Sequence, residues 1–129
     1  MRKVNFALLS VAIAVSALVA ASSPASAAGK WCNASTCIKT YDNGTWHGRV
    51  EVQIMVRANM TVHGRVWNSK TGWAKNTRAE SFTGTRTYIG YTYPQRNFPA
   101  GSKLCAQGYQ HLGGNKYKTL GLPCVTITR

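Results

Sequence analysis

The segment RVEVQIMVR, residues 49–57, alternates between apolar and polar side chains at almost every position. Successive side chains of an extended chain point to opposite faces, so one face of this segment is apolar. That face consists of Val50, Val52, Ile54 and Val56. The period of two predicts a β-strand that buries one side in a core and exposes the other.

Similar patterns follow along the chain. A second apolar face is formed by Met60, Val62, Gly64 and Val66. The sequence leaves open whether these two strands form a hairpin or lie in different sheets. Residues 81–93, dense in Thr and Tyr, predict one further strand that ends at Pro94, whereas residues 69–76 are typical of a loop or a weak edge strand.

The chain after residue 28 shows no apolar spacing sustained over three helical turns, and turn-forming residues recur about every ten residues. These features predict an all-β fold. The expected architecture is a small antiparallel β-sandwich, immunoglobulin-like or similar, of about six or seven strands. A closed β-barrel is the alternative.

Residues 1–28 have the organisation of a secretory signal peptide. Arg2 and Lys3 precede an apolar stretch over residues 6–21, and Ala25-Ser26-Ala27 supplies small residues for cleavage. This apolar stretch is shorter than the roughly 20 residues of a membrane-spanning helix. We expect cleavage, export to the extracellular space and no transmembrane segment afterwards. The remaining chain divides into an N-terminal segment, residues 29–44, and a β domain, residues 45–129.

The chain is strongly basic, with 16 Lys and Arg against 3 Asp and Glu and a net charge of +13. Without Arg2 and Lys3, 14 basic and 3 acidic residues leave +11. The basic residues are dispersed and form no run of five, which predicts a general field that associates weakly with anionic cell-wall or membrane surfaces. A nucleic-acid partner is not expected, because no recognition-fold signature is present.

Few residues are suited to catalysis or metal binding. The acids are Asp42, Glu51 and Glu80, and the histidines are His47, His63 and His111. The histidines lie in three separate segments, and His63 and His111 are expected to be ordinary exposed residues. We therefore predict a non-enzyme without a metal or cofactor. The one catalytic alternative is a ribonuclease that uses a His pair, or Glu51 with Arg49, His63 and Arg65 on one face.

All four cysteines lie after the predicted leader, which favours two disulfides. Residues 103–110 and 117–128 predict a hairpin that turns at Gly113-Gly114-Asn115. With the turn centred between Gly114 and Asn115, the residue numbers of any two directly opposed residues add up to 229. Cys105 then faces Cys124, provided that residues 121–123 form a bulge or bend, and Cys32 is left to pair with Cys37.

Several aromatic residues stand next to cations, as Trp67 does after Arg65 and Trp73 before Lys75. Aromatic rings beside cations suit carbohydrate stacking or protein–protein hot spots. About half of these aromatics are expected to lie in the core instead, since Tyr and Trp are common in strands.

The leader ending in Pro24-Ala25-Ser26-Ala27, the loop CNASTC (residues 32–37) and the closing hairpin with Cys105 and Cys124 resemble small secreted all-β proteins of streptomycete-type actinobacteria. They are similar in organisation to the adaptor subunit of umbrella toxin particles. The resemblance implies that the disulfide loop and its flanks insert into a partner. The implied binding residues are Lys30, Trp31, Cys32, Asn33, Ala34, Ser35, Thr36, Cys37, Ile38 and Lys39.

These observations favour a secreted, non-catalytic protein-interaction module with a protein partner in the extracellular space, such as an adaptor in an antibacterial toxin complex. The alternative is a self-sufficient cationic antimicrobial protein or an inhibitor of secreted hydrolases. The ribonuclease is the third hypothesis.

Overall fold

The computed structural model describes residues 28–129, so the predicted signal peptide, except for Ala28, lies outside the described residues. The described chain contains twelve strands and no helix that could cross a membrane. The strands are β1 Gly29–Asn33, β2 Thr36–Thr40, β3 Trp46–His47, β4 Val50–Val56, β5 Met60–Asn68, β6 Ala74–Asn76, β7 Glu80–Phe82, β8 Arg86–Thr92, β9 Arg96–Asn97, β10 Lys103–Gly113, β11 Lys116–Thr119 and β12 Cys124–Thr126.

The strands form two main antiparallel sheets. The first sheet has the order β1-β2-β4-β8, and the second has the order β11-β10-β5-β6, with β12 also beside β10 and β7 also beside β5. A two-stranded ribbon of β3 and β9 completes the fold. The predicted all-β antiparallel sandwich is confirmed.

The core lies between the inner faces of the two sheets. The predicted apolar face of β4 is fully buried there and packs in one cluster with the inward side chains of β5. Gly64 and Gly108 are directly opposite each other on β5 and β10, so the inner face of the second sheet has a gap without side chains. Side chains of the first sheet fill this gap, since a Cβ on Gly64 would lie 2.8 Å from Val52 and one on Gly108 would lie 3.1 Å from Ile54.

The structure settles how β4 and β5 are related. They lie in different sheets, so the chain crosses from one sheet to the other at Arg57-Ala58-Asn59 and the two strands do not form a hairpin.

The prediction of one strand over residues 81–93 is wrong. Gly84 has a φ of 76°, outside the extended range, and it separates β7, which pairs with β5, from β8, which pairs with β4.

The strand count is accordingly higher than the six or seven expected. Short segments at loop positions pair with segments distant in sequence, as Trp46 does with Asn97 in β3 and β9. The stretch over residues 69–76 ends in β6, which is an edge of the second sheet. Such two- and three-residue strands are too short to leave a periodic signal in the sequence.

The C-terminal hairpin turns where predicted, with Gly113 opposite Lys116. A bulge at Leu112 then shifts the register by one residue, so that Tyr109 faces Thr119 and not Leu120 as predicted. Residues 120–123 leave the ladder and restore the register, and Cys105 faces Cys124. The prediction assumed one register along the whole hairpin and did not include the bulge at Leu112, so the predicted pairing holds because the two register shifts cancel.

Both predicted disulfides are confirmed. Cys32 and Cys37 are bonded with a Cα separation of 4.0 Å, and Cys105 and Cys124 with one of 4.1 Å. No cysteine of the described chain is free. Two formed disulfides indicate folding in an oxidising environment.

The N-terminal hairpin of β1 and β2 is part of the first sheet, because β2 pairs with β4 over five residues. Its turn is held to the rest of the domain by backbone hydrogen bonds. Ser35 N donates to Leu120 O over 3.1 Å, and Met55 N donates to Ser35 O over 2.8 Å. Thr36 Oγ1 also donates to Leu120 O over 2.8 Å.

We predict that Gly108→Ala lowers the free energy of unfolding by about 1–3 kcal/mol, because the added methyl group has no room beside Thr36 and Ile54. Urea denaturation of the disulfide-bonded protein measures this change. Lys75→Ala, at an exposed position of β6, is the control. The double variant Gly108→Ala/Thr36→Ala should lose less than the sum of its single variants, and an additive result would contradict the steric explanation.

Candidate functional site

The outer face of the first sheet is assembled by the strand register. Lys30 lies opposite Lys39, Lys39 opposite Glu51, and Glu51 opposite Tyr91, so these side chains form one row across all four strands. The alternation of β4 places this row on the side away from the core. Two lysines and a glutamate are thereby brought into one row with a tyrosine ring.

A second row lies beside the first. Cys32 faces Cys37, Cys37 faces Gln53, and Gln53 faces Ile89. Met55 is the next outward residue of β4 and is exposed. The N-terminal disulfide is therefore an element of the sheet's outer face, in the same row as Ile89 of β8, with Gln53 of β4 between them.

Glu51 is buried on this outer face, with only 2% of its surface exposed. Its carboxylate accepts hydrogen bonds from Tyr41 Oη and from Gln53 Nε2. Burial alone would raise the pKa of Glu51, but the hydrogen bonds from Tyr41 and Gln53 and the charge of Lys39 outweigh burial and hold it below its ordinary value. Glu51 is therefore ionised, and its carboxylate oxygens accept hydrogen bonds from side chains of the same domain.

Arg49 lies between two tyrosine rings. Its guanidinium carbon is 3.9 Å from the centre of the Tyr41 ring and 5.3 Å from that of Tyr91. Lys39 Nζ is 5.0 Å from the centre of the same Tyr41 ring. Contacts of this kind hold a cation over the electron-rich face of an aromatic ring. They fix the tyrosines and the cations in one arrangement around Glu51.

The residues predicted to form an insertion loop have two different environments. Lys30, Cys32, Asn33 and Ala34 are exposed, whereas Thr36, Cys37 and Ile38 are buried. Trp31, Ser35 and Lys39 are partly buried. The loop lies against the chain near Leu122, whose backbone N donates to Asn33 Oδ1 over 3.1 Å. Lys30 and Cys32 belong to the two outward rows of the first sheet, and the binding role of the loop remains a prediction.

His63 and His111 are not the ordinary exposed residues that the sequence predicts, because both are partly buried and lie against each other. His63 Nδ1 and His111 Nε2 are 2.7 Å apart and share a hydrogen bond on the outer face of the second sheet. The pairing of β5 with β10, which places Tyr109 opposite His63, brings them together. Burial, and then the charge of His111, lower the pKa of His63. Only knowledge of which strands are neighbours would have revealed this pair.

The structure does not assemble the ribonuclease combination of Glu51 with His63. Val52 and Gly64 meet in the core, and Glu51 and His63 alternate with them, so the two side chains lie on opposite outer faces. Arg49 is on the Glu51 side and Arg65 on the His63 side. Within residues 28–129, no three His, Cys, Asp or Glu side chains converge as metal ligands.

Comparison with protein-family models, curated proteins and solved structures finds no significant match to this chain. The functional evidence therefore comes from the geometry of the two outer faces.

We predict that Glu51→Gln reduces the loss of stability in acid. Because the pKa of Glu51 is lower in the folded chain, its ionised form contributes stability that is present above the unfolded value of about 4.3 and is lost as the pH falls through the folded value. Urea denaturation between pH 3 and pH 7 measures the effect. Glu80→Gln, which removes an exposed carboxylate, is the matched control. An acid dependence that is unchanged in Glu51→Gln would contradict the prediction.

His63 generates a separate prediction at milder pH. Its lowered pKa means that the unfolded chain binds the proton more readily, so the free energy of unfolding falls as the pH drops below about 6.5. The side chains around it are His111, Tyr109, Tyr117, Arg65 and Asn76. His63→Gln should weaken the pH dependence between pH 7 and pH 5, leaving the contribution of His47, whose pKa is also lowered by burial. An NMR titration in which His63 protonates above pH 6.5 would contradict this.

Proposed function

We propose that the protein is a secreted, non-catalytic protein-interaction module that binds its partner through the outer face of the first sheet. The observation that carries this proposal is an exposed apolar strip on the same outer face as the Cys32–Cys37 disulfide. Met55, Ile89 and Tyr91 are 47%, 46% and 44% exposed, although they lie in the two longest strands of the sheet. Tyr93 extends the strip, with its ring 6.5 Å from that of Tyr91.

The chemistry of this strip favours a protein as the ligand. Met55 and Ile89 offer apolar contact area without hydrogen-bonding groups. Tyr, Met and Arg, which all occur on this face, are enriched in protein interfaces. Arg49 is already held between two tyrosine rings, so little side-chain freedom is lost when a partner covers it. This arrangement is typical of an interface hot spot.

The charges around the strip indicate which partner fits. Arg49 stands over the Tyr91 ring, and Lys39 and Lys30 continue the row of Tyr91 on the far side of Glu51. Glu51, the one carboxylate of the face, is buried and hydrogen-bonded internally. A partner with an apolar centre and acidic residues around it would complement this surface. The exposed residues of the N-terminal turn adjoin the same face, which is consistent with an adaptor role in an extracellular complex.

We expect a partner polypeptide to co-purify with the protein from culture supernatant, and Ile89→Asp to abolish its recovery. Leu112→Asp, which changes an exposed aliphatic residue of the C-terminal hairpin, is the matched control and should retain the partner. Lys30→Glu tests separately the attraction between the basic residues and an acidic partner, and it should weaken the complex without altering the core. Thermal unfolding of each variant checks that the domain remains folded.

Two results would contradict the proposal. One is recovery of the protein solely as a free monomer from native supernatant. The other is a complex that survives Ile89→Asp and Lys30→Glu as well as it survives Leu112→Asp.

A further inference from the structure

The outer face of the second sheet has a groove that the proposed protein interface does not use. Two adjoining cavities of about 310 Å³ and 280 Å³ lie along it, and Arg65 and Tyr109 line both of them. Trp67 borders the first cavity, and His63 and Tyr117 border the second. His63, Arg65 and Trp67 are alternate residues of β5, so the groove follows this strand for roughly 13 Å. We call this surface the Trp67 groove.

The aromatic side chains of the Trp67 groove are held by contacts with one another. The rings of His63 and Tyr109 are stacked, with centroids 5.0 Å apart. Tyr117 stands edge-on to both, 5.6 Å from His63 and 6.1 Å from Tyr109. The hydrogen bond between His63 and His111 adds a further constraint. A ligand therefore meets a surface that is already ordered, which lowers the entropy cost of binding.

Polar groups lie between the aromatic rings. Arg65 faces Asn76 on one side and Gln107 on the other, so a guanidinium and two amides form a row across three strands. Tyr109 Oη donates to Gln107 Oε1 over 2.7 Å, which leaves the amide nitrogen of Gln107 as the end that can donate to a ligand. Aromatic faces with a few fixed polar groups between them are the usual lining of a small-ligand site.

The charge of the Trp67 groove selects an anionic ligand. None of the three acids of the chain lines either cavity, and Arg65 is at the junction of the two. A planar guanidinium binds a carboxylate with two parallel hydrogen bonds. The position of Arg65 therefore fits an anionic substituent carried on a ring that contacts the neighbouring aromatic side chains.

We propose that the Trp67 groove is a binding site for an acidic oligosaccharide. Sugar rings would pack their apolar faces against Trp67 and Tyr109, the amides of Asn76 and Gln107 would bind hydroxyl groups, and Arg65 would bind a carboxylate. This site is independent of the protein interface proposed for the first sheet.

A single-stranded nucleic acid also combines rings with negative charge, but it fits the lining less well. Binding of a nucleic-acid strand relies on several Lys and Arg side chains along the backbone. Of the described residues, Arg65 is the one Lys or Arg that lines either cavity. The abundance of amide, hydroxyl and aromatic groups relative to cations therefore favours a glycan.

The test measures binding of the disulfide-bonded protein to two carboxylated glycans, hexagalacturonate and a hyaluronan octasaccharide, by calorimetry and by NMR shift changes. Cellohexaose and a 12-nucleotide oligouridylate are the uncharged and nucleic-acid probes. We expect saturable binding of at least one carboxylated glycan, with shift changes centred on Trp67 and Tyr109. Trp67→Ala and Arg65→Gln should each weaken binding by about tenfold or more, equivalent to about 1.4 kcal/mol.

Trp46→Ala is the matched control, because Trp46 is an exposed tryptophan of β3 outside the Trp67 groove, and it should leave binding unchanged. Arg65 is exposed, so Arg65→Gln keeps the test valid if Trp67→Ala does not fold. The proposal is overturned if neither carboxylated glycan binds, if cellohexaose or oligouridylate binds more tightly than both, or if Trp67→Ala and Arg65→Gln bind as well as the unaltered protein.

Discussion

The close contact between the two sheets at Gly64 and Gly108 determines the rest of the architecture. These paired glycines leave a gap on the inner face of the second sheet, and Val52, Ile54 and Thr36 of the first sheet fill it. Because side chains alternate along a strand, fixing which residues point inward also fixes which point outward. Both candidate surfaces are therefore set by the same interdigitation in the core.

The sequence predicted the parts of the fold that depend on local patterns. The alternation over residues 49–57 identified β4 and its buried face, and the turn at Gly113-Gly114-Asn115 led to the correct disulfide pairing. Residues 81–93 were misassigned because continuous β-propensity does not reveal that Gly84 sends the chain from one sheet to the other. The pattern within one segment does not show which distant strand it pairs with, and that partner decides which sheet the segment joins.

The candidate sites were less predictable, since each combines residues from strands far apart in sequence. Lys30 and Lys39 were singled out for their place beside the disulfide loop, but Ile89 and Tyr91 join them only through the register of β2, β4 and β8. In the same way, the pairing of β5 with β10 was needed to bring His63 near His111. The adjacency of Arg65 and Trp67 was visible in the sequence, whereas the groove around them was not.

The two proposed surfaces lie back to back on opposite sides of one thin core. A ligand bound to one sheet would consequently leave the other sheet accessible, and the domain could hold two different molecules at a fixed separation. A partner protein docked on the first sheet would then be retained near any acidic polymer bound by the second, at an effective concentration set by the rigid domain instead of by diffusion. Such an arrangement would convert two modest affinities into durable attachment at a surface.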